Sequence, residues 1–388
     1  MRKFFKIFIP IILLLSGCNT APSSTPELEP LPQLSPTSTF PIPTVTSLPT
    51  PTQIPTIVPT ATPENDIFHF YKDNPVLRRS DDPDWDNVFI DPGAMIHTDG
   101  MFHMFFNGIN GFPAPVGVGY ATSSDGYHWK REVNEPVLKA TQLEGSNILG
   151  SNLFVTSVVI EDNGTWALYF YTLSGSNFNG QGEIGRATAP TPTGPWVIDS
   201  DPVLSPGAEG SWDDVQVTSP NVLHVNNGYI MYYDGHASST TSMIGMASST
   251  DGIHWTKHDD PSTTEPEFAE SDPVLTTSAD GWDSVRVIDP NVVRTSDGWT
   301  MVYLVTTGGG KFSAGTYSFG VATSTDGTHW EKSRQNPVLS NKNHNFWSAS
   351  YLVTMLHVED TFYLYFDFAS TKTKGTVVDL ATYQGSLK

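Results

Sequence analysis

The sequence predicts an all-β fold, a five-bladed β-propeller, from three observations. First, a phrase ending in Pro-Val-Leu recurs five times, and its prolines stand 61, 66, 71 and 64 residues apart. Second, the chain is rich in Gly, Thr, Ser and aromatic residues and has no long segment of helical periodicity. Third, the fourth unit, which is the clearest, carries signals for four antiparallel strands separated by tight turns. Repeats of this length and content are typical of propeller blades. The copies cover residues 74–77, 135–138, 201–204, 272–275 and 336–339.

Residues 1–18 have the features of an export signal. Arg2, Lys3 and Lys6 supply a positive start, and the apolar run over 4–15 is too short to span a bilayer as a mature helix. The Leu-Ser-Gly-Cys sequence over 15–18 resembles the lipobox of bacterial lipoproteins, which implies a lipid on Cys18 after cleavage. Cys18 is the only cysteine of the chain, so no intrachain disulfide can form. An ordinary secretory signal with an incidental cysteine is the alternative.

Residues 19–65 predict a disordered linker. They are almost wholly Pro, Thr, Ser and small apolar residues, which cannot bury enough apolar surface to offset the entropy of ordering. We expect a partly polyproline-II stalk of about 3.1 Å per residue where it is stiff. With a lipid on Cys18, this stalk would tether one folded domain, residues 66–388, on the extracytoplasmic side of the cell envelope.

The charge of the chain restricts its partners. Residues 66–388 carry 38 of the 41 acidic residues and 17 of the 20 basic ones, so the net charge of −21 belongs to the predicted domain. Nucleic acid is therefore excluded as a partner, because neutralising phosphates requires clustered Lys and Arg. A neutral ligand such as a sugar does not require clustered basic residues and is compatible with this charge. We expect a monomer that contacts the membrane only through its lipid anchor.

The fourth unit shows the expected strand order most clearly. An innermost strand is predicted over 282–293, a second over 299–305, a third over 318–324, and a fourth beginning at His329. The phrase Ser/Thr-Asp-Gly-x-His-Trp leads into this fourth strand and recurs over 124–129, 250–255 and 325–330. Its Asp and Gly suit a hairpin turn, its Trp should pack between blades, and its His is predicted to be structural rather than a metal ligand.

The two ends of the domain predict how the propeller closes. The fifth unit stops after three strands, and residues 69–75 resemble residues 329–337, which contain the fourth strand of the preceding unit. The N-terminal strand should therefore complete the last blade. Such closure would remove two exposed sheet edges.

A propeller gathers the starts of its inner strands around one axial pocket, which selects the candidate site residues. Asp91 and Asp289 open the inner strands of units one and four, each before a proline, and Ser219 occupies the same slot in unit three. Glu183 opens the third strand of unit two. We predict catalytic roles for Asp91, Asp289 and Glu183. The residues predicted to contact substrate are Asn107, Asp234, His236, Arg286, Gln216, Asp367 and Trp85.

Each candidate also has a structural interpretation. An Asp before Pro can cap a turn. A charged residue on an inner strand, such as Arg286, requires an acidic partner, for which Asp91 or Asp289 would serve. Trp85 belongs to a Trp-Asp pair that recurs at 212 and 282, so blade packing is its alternative role.

With these motifs, residues 66–388 resemble the five-bladed glycoside hydrolases of families 43, 32, 62, 117 and 130. The likeness rests on the five units, the strand closure, the Asp91-Pro92 opening and the Ala-Thr-Ser-x-Asp-Gly-x-x-Trp hairpins. Residues 74–94 are also similar to the opening of family 130. The resemblance implies hydrolysis of a glycosidic bond with Asp91 as general base.

The family signatures are incomplete. In family 43 a second-blade Asp tunes the base and a third-blade Glu protonates the leaving group, but residues 154–157 and 218–220 supply neither. The Arg-Asp-Pro and Glu-Cys phrases of family 32 and the Glu-Asp-Pro-Arg phrase of family 130 are missing as well. The general acid is therefore left open among Glu183, Asp289 and Asp234.

The first functional hypothesis is a cell-surface glycoside hydrolase acting on a plant or microbial polysaccharide or oligosaccharide. One protonated carboxyl and one carboxylate would cleave the bond, and crowding of carboxyls would supply the raised pKa of the acid. Arg286 and His236 would orient sugar hydroxyls or a uronic carboxylate. The alternatives are a non-catalytic carbohydrate-binding propeller and a glycoside phosphorylase, whereas the few pocket Arg residues disfavour a sialidase. No cofactor is required. The sequence leaves open whether a structural calcium ion binds near the axis, because no residue spacing demonstrates such a site.

Overall fold

The computed structural model describes the chain from residue 66 to residue 387. Within these bounds it leaves out residues 82–83, 112–113, 175–179, 227, 238–241, 308–315, 345–346 and 371–374. The signal, the linker and Cys18 therefore lie outside the described residues. Over the described part the regular structure is β, apart from short 3₁₀ helices at Ala140–Leu143, Pro266–Phe268 and Asn341–Asn343. No helix found there is both long and apolar enough to cross a bilayer.

The strands form five successive antiparallel meanders. β1 (His69–Phe70) precedes them. Meander 1 contains β2 (Phe89–Thr98), β3 (Met101–Ile109), β4 (Gly117–Ser123), β5 (Lys130–Arg131) and β6 (Leu138–Lys139). Meander 2 contains β7 (Asn152–Ile160), β8 (Trp166–Leu173), β9 (Gly182–Ala189) and β10 (Val197–Ile198). Meander 3 contains β11 (Gln216–Val225), β12 (Gly228–His236), β13 (Ser242–Ser249), β14 (Thr256–Lys257) and β15 (Pro273–Leu275). Meander 4 contains β16 (Ile288–Thr295), β17 (Gly298–Thr306), β18 (Tyr317–Ser324), β19 (Glu331–Lys332) and β20 (Leu339–Ser340). Meander 5 contains β21 (Trp347–Ala349), β22 (Val353–Val358), β23 (Thr361–Ser370) and β24 (Thr376–Gln384).

Each meander has the same pairing order. Its inner strand pairs with the second, the second with the third, and the third with the short outer pieces. Meanders 2 and 3 are also joined by a parallel bridge between Gln216 and Gly182. The predicted inner strand of unit four begins later than expected, at Ile288, because Trp282 precedes the strand and stacks on Tyr303 of β17.

The repeated Pro-Val-Leu phrase ends each meander rather than opening it. Its leucine pairs with the third strand every time, as Leu138 does with Val118 and Leu339 with Phe319. The first copy pairs with the last meander, where Leu77 bridges to Val378 of β24. β1 pairs with β24 as well, through His69 opposite Thr382 and Phe70 opposite Ala381.

The hairpin phrase has the structural role that the sequence predicts. In meander 1 the Oδ1 atom of Asp125 accepts hydrogen bonds from the backbone N–H groups of Tyr127 and His128, at 2.8 and 2.9 Å. Trp129 packs edge-to-face on Tyr365 of meander 5, whose hydroxyl donates to the carbonyl of Gly126. The same contacts recur for Trp255 with Tyr169 and for Trp330 with Tyr232. The phrase therefore joins neighbouring meanders.

The apolar core lies between the meanders. Each cluster of buried apolar residues in the described chain draws on at least two meanders. One of them joins Met104 and Phe106 of meander 1 to Tyr365 and Leu380 of meander 5. The Trp-Asp pairs add a buried ion pair to each of three meanders: Asp86 with Arg131 at 2.6 Å, Asp213 with Lys257 at 2.7 Å, and Asp283 with Lys332 at 2.6 Å.

Side chains on or next to the inner strands hold each meander to the next, and we call this set the inner belt. In four of its members a side-chain oxygen accepts a hydrogen bond from a backbone N–H of the following inner strand. The fifth member donates a hydrogen bond to a backbone carbonyl of the following inner strand. The bonds are Asn107 with Val155 (2.9 Å), Ser157 with Val222 (2.8 Å), Asn221 with Val292 (2.9 Å), Asn291 with Met355 (3.0 Å) and Thr354 with the carbonyl of Gly93 (2.7 Å). The last bond leads from meander 5 back to meander 1.

Replacing one belt residue should destabilise the domain measurably. Asn291→Ala leaves the N–H of Met355 without its acceptor, and both residues are buried. We expect a loss of about 1–3 kcal/mol in the free energy of unfolding, the usual cost of an unsatisfied buried donor. Urea denaturation measures this loss. Asn226→Ala, in an exposed hairpin turn, is the matched control and should change stability by less than about 0.5 kcal/mol. Equal stability of both variants would contradict the role of the belt.

Candidate functional site

Asp91 lies near the start of β2, opposite Asn107 of β3. Its Oδ1 atom accepts hydrogen bonds from Nδ2 of Asn107 at 2.7 Å and from the backbone N–H of Gly93 at 3.0 Å. Both donors favour the ionised form, yet the pKa of Asp91 is raised well above its usual value. Burial of the carboxyl is the main cause, and the nearby charge of Asp367 adds to it. The residue as a whole still keeps part of its surface exposed to solvent.

A β-bulge next to Asp91 makes this contact possible. Between Asp91 and Ala94 two residues of β2 oppose one residue of β3, and Gly93 has a φ of +54°. A Cβ atom on Gly93 would lie 2.0 Å from the carbonyl oxygen of Phe105. Only glycine therefore fits where the backbone N–H reaches the carboxylate of Asp91.

Asp367 lies near the end of β23 and organises the loop before β22. Its Oδ1 atom accepts hydrogen bonds from the N–H groups of Tyr351 at 2.6 Å and Leu352 at 2.9 Å, and from Oγ of Ser350 at 3.1 Å. Burial raises the pKa of Asp367 to about 7, although these three donors act in the opposite direction. The charge of Asp289 contributes to the rise.

Asp289 is the second residue of β16 and has a φ of +50°, in the left-handed region. Residues other than glycine rarely adopt this conformation, which costs about 1–3 kcal/mol and is frequent at functional sites. Ser219 has the same φ, and its Oγ atom donates to Oδ1 of Asp289. The N–H of Asp289 in turn donates to Oδ1 of Asp234 at 3.3 Å.

Asp91, Asp289 and Asp367 form an electrostatically coupled group, which we call the acidic cluster. They come from meanders 1, 4 and 5. The charges of Asp367 and Asp289 both raise the pKa of Asp91, and the charge of Asp289 raises that of Asp367. Neighbouring carboxyls cannot all ionise together at low cost, so the cluster binds and releases protons as a unit. It can therefore offer a protonated carboxyl and a carboxylate at the same pH.

A second polar group is built around Asp234 at the end of β12. The Nε2 atom of His236 lies 3.0 Å from Oδ2 of Asp234, and Oγ1 of Thr218 donates to the same oxygen at 2.8 Å. The Nδ1 atom of His236 lies 2.7 Å from Oγ of Ser242. Arg286 is only 2% exposed; burial lowers its pKa, and the charge of Asp234 opposes that change. The imidazole of His236 and the guanidinium of Arg286 are the hydrogen-bond donors of this group.

Glu183 and Gln216 have contacts away from the acidic cluster. The carboxylate of Glu183 accepts hydrogen bonds from the N–H of Leu149 at 2.8 Å and from Oγ of Ser205 at 3.0 Å. Among the described residues, no hydrogen bond links Glu183 to the cluster. Gln216 donates to the carbonyl of Gly180 at 2.6 Å and lies opposite His236.

Trp85 packs inside meander 1. Its ring stacks on Phe106 at 5.7 Å, and its Nε1 atom donates to the carbonyl of Asn134 at 2.9 Å. It fits closely against Gly108 and Gly117, where a Cβ atom would lie 2.4 and 2.8 Å from the indole ring. The structure thus gives Trp85 the packing role that was the alternative, and its contact with substrate stays a prediction.

The strand register corrects one expectation. Asp91 and Asp289 were expected to occupy equivalent positions, because each precedes a proline. Asp91 lies opposite Asn107, whereas the corresponding place in meander 4, opposite Leu304, is taken by Ile288. Asp289 belongs to the bulge that follows. The two carboxyls therefore approach the cluster from different backbone positions.

Sequence reasoning missed Ser242 and the contribution of Gly93. Ser242 opens β13 in a serine- and threonine-rich stretch without a distinguishing motif, so nothing in the sequence marks it. Gly93 follows the Asp91-Pro92 pair, where a bulge could have been suspected. In the described ranges, no three His, Cys, Asp or Glu residues are arranged to hold a metal ion.

Comparison with known proteins gives a consistent result. The model of the glycosyl hydrolases family 32 N-terminal domain matches residues 83–271. No curated protein is significantly similar to the chain. Among solved structures, a glycosyl hydrolase from Bacteroides ovatus has a TM-score of 0.61 at 19% identity, with 82% of this chain and 94% of that chain covered.

Two further structures come from other families. One represents GH130, described as a family of mannoside phosphorylases that contains glycoside hydrolases targeting β-1,2 mannosidic linkages in Candida mannan. Its TM-score is 0.60 at 18% identity, and 83% of this chain and 97% of that chain are covered. A thermostable family-43 glycoside hydrolase has a TM-score of 0.52 at 13% identity, with coverage of 78% and 90%. Together with the family model, these structures confirm the resemblance to β-propeller glycoside hydrolases and the all-β propeller fold.

The raised pKa of Asp367 predicts a pH dependence of stability. A carboxyl whose folded pKa lies above its unfolded value stabilises the fold at low pH, and that stability is lost as the pH rises from about 4 through about 7. In Asp367→Asn this loss should be smaller, because the amide oxygen can still accept the three hydrogen bonds and carries no charge. Urea unfolding at pH 5 and pH 8 measures it. Asp280→Asn, which removes an exposed carboxylate, should behave as the wild type; an unchanged pH slope in Asp367→Asn would refute the assignment.

Proposed function

We propose that this chain, which resembles β-propeller glycoside hydrolases in sequence and fold, hydrolyses a glycosidic bond at the acidic cluster. The proposal rests on one observation above all: three carboxyls from separate meanders are coupled, and the pKa values of Asp91 and Asp367 are raised. Glycosidic hydrolysis requires one carboxyl that gives a proton and one carboxylate that receives one. A cluster that shares protons near neutral pH meets both needs.

Asp91 is proposed as the general base. Both of its hydrogen-bond donors contact Oδ1, which leaves Oδ2 as the atom for water, and the residue is partly exposed. As water attacks the anomeric carbon, Asp91 takes a proton from it. The bond between that carbon and the leaving oxygen then breaks, and the leaving oxygen takes a proton from the general acid. The two carboxyls regain their starting states by proton exchange with solvent.

Asp289 is proposed as the general acid. Of the three residues that the sequence left open, Glu183 accepts hydrogen bonds at both oxygens, and Asp234 faces His236 and the charge of Arg286. Asp289 instead is electrostatically coupled to Asp91 and Asp367, so a proton held by the cluster can reach it. Asp367 would act as a positioning residue, because its charge keeps a proton shared among the three carboxyls of the cluster.

The substrate is proposed to be a plant or microbial polysaccharide or oligosaccharide. Asn107, His236 and Arg286 would orient its hydroxyls, or the carboxylate of a uronic acid. A phosphorylase reaction is the second candidate, favoured by the buried cation Arg286 beside His236, which suits a phosphate oxyanion. In that case phosphate would replace water as the attacking group.

We also propose that the five meanders are the five blades of a closed ring. Pairing of β1 with β24 and the hydrogen bond from Thr354 back to Gly93 support this closure. Residues 66–388 would form this ring as a monomer, tethered through the linker 19–65 to a lipid on Cys18 outside the cytoplasm.

The catalytic proposal is tested by replacing Asp91. Asp91→Asn should lower the rate of product release about 10²–10⁴-fold, because the amide cannot take a proton from water. Arabinan, xylan, fructan and mannan oligosaccharides are incubated with the enzyme, with and without inorganic phosphate, and products are quantified by chromatography. Asp280→Asn is the control that retains activity.

Each alternative function gives a different result in this assay. Turnover that depends on added phosphate indicates a phosphorylase. Binding of a glycan without product, unchanged in Asp91→Asn, indicates a non-catalytic propeller. A normal rate in Asp91→Asn removes this residue from the mechanism.

The lipid anchor predicts the behaviour of a Cys18 variant. In bacteria labelled with radioactive palmitate, the wild-type chain should incorporate label and sediment with membranes. Cys18→Ala should carry no label and appear in the soluble fraction, because the thiol that would bear the lipid is gone. Label retained in Cys18→Ala would contradict the lipobox interpretation.

A further inference from the structure

The inner strands place a second set of side chains around one cavity, far from the acidic cluster. Ala94 of β2 stands at the register position that belt residues occupy on the other four inner strands. Three residues after this position in each inner strand stand His97, Ile160, His224, Arg294 and His357. The strand register supports their equivalence, since each pairs with an aromatic residue at the start of the second strand of its own meander. We call this set the histidine–arginine ring. On β2, His97 lies six residues beyond Asp91, about 20 Å along a strand.

These ring residues line a cavity of about 570 Å³, together with other residues of all five inner strands. The chain contains twice as many acidic as basic residues, yet within the described part of the chain no Asp or Glu contributes to this lining. Its polar part consists of Arg294, the three ring histidines, Asn221, Asn291 and hydroxyl side chains, and the remainder is aliphatic. A volume of this size suits a small organic molecule.

Stacking holds the ring side chains in place. His224 stacks on Tyr229 at 4.8 Å, His357 on Phe362 at 4.3 Å, and the guanidinium of Arg294 lies 4.2 Å from the ring centroid of Trp299. His97 packs against Phe102 at 4.5 Å. Side chains fixed in this way lose little rotamer entropy when a ligand binds.

Acidic residues occur near the ring, but outside the cavity. The hairpin turns that follow the inner strands carry Asp99, Glu161, Asp162, Asp297, Glu359 and Asp360, and Glu161 is paired with Arg186. Of these, Asp162 is 92% exposed at its side chain and lies 3.6 Å from Nε2 of His224. Arg294 and His224 are exposed as well, so water and salt screen charges of both signs here. Among the described residues, however, Arg294 and the ring histidines contribute to the lining itself and carboxylates only to the turns beyond it, so the cavity presents its donors to an anion.

We propose that this cavity binds a small organic anion, a sugar acid or a sugar phosphate, at a site separate from the acidic cluster. Arg294 and the ring histidines would hold the carboxylate or phosphate. The aliphatic side chains, among them Val158, Leu223 and Val292, would contact the C–H surface of the sugar. Charge-assisted hydrogen bonds from Arg and His⁺ are the usual means of recognising such oxyanions.

Isothermal titration calorimetry of the full chain at pH 5.5, below the ordinary pKa of a histidine side chain, tests this site; burial lowers the pKa of His357. The probes are galacturonic acid, glucose 6-phosphate, inorganic phosphate and neutral glucose. We expect at least one sugar anion to bind and glucose not to bind. Arg294→Gln should weaken that binding at least tenfold, and His224→Gln should weaken it as well. Arg334→Gln, which removes an exposed arginine outside the cavity, is the matched control and should bind as the wild type.

Variants of the other site separate this proposal from the catalytic one. Asp91→Asn should bind the sugar anion unchanged, and Arg294→Gln should keep full activity on any substrate found. Absence of binding by both sugar anions overturns the proposal, as does equal binding by glucose or by Arg294→Gln. Binding of inorganic phosphate alone, without either sugar anion, overturns the assignment to an organic ligand.

Discussion

The structure depends on hydrogen bonds between inner strands that belong to different sheets. An inner strand is the edge of its own meander, so one row of its N–H and C=O groups has no partner in a β-ladder. The inner belt satisfies part of this row with side chains of the neighbouring meander. Ser157, Asn221 and Asn291 stand at the same register position and reach Val222, Val292 and Met355. Short polar side chains suit this position because they span the gap between two strands while remaining buried.

The belt also positions the candidate site. Asn107 exchanges hydrogen bonds with the backbone of Val155 and donates to Asp91 from the same amide. Gly93 accepts from Thr354 through its carbonyl and donates to Asp91 through its N–H. The two groups that hold the carboxylate of Asp91 thus also join meander 1 to meanders 2 and 5. Asn107 and Gly93 therefore both hold neighbouring meanders together and orient Asp91. Because the same two residues serve both roles, the fold fixes the geometry of this carboxyl.

Much of the architecture could be predicted because repeats and turn chemistry act locally. The Asp-Gly-x-His-Trp hairpins, the all-β content and the Asp91-Pro92 opening depend on residues close together in the sequence. The position of Asp289 could not be predicted, since a bulge shifts the register by one residue and the Asp-Pro motif gives no sign of it. Glu183 appeared equivalent to a catalytic carboxyl, but its two hydrogen bonds come from loops that no local pattern connects to it. The coupling between Asp91 and Asp367 likewise depends on the contact between the first and last meanders.

The distribution of charge along the inner strands suggests why a chain of net charge −21 can carry two different sites. The acidic cluster lies near the starts of the inner strands, where burial chiefly, and neighbouring charges in part, raise the pKa values of Asp91 and Asp367 and suit proton transfer. Near the strand ends the same five strands present Arg294 and three histidines, and the acidic residues there lie in exposed turns. A separation of about 20 Å exceeds the Debye length of about 8 Å at physiological ionic strength, although a buried path is screened less than water. The belt lies between the two groups and carries no charged side chain, so each group can bind its ligand largely independently of the other.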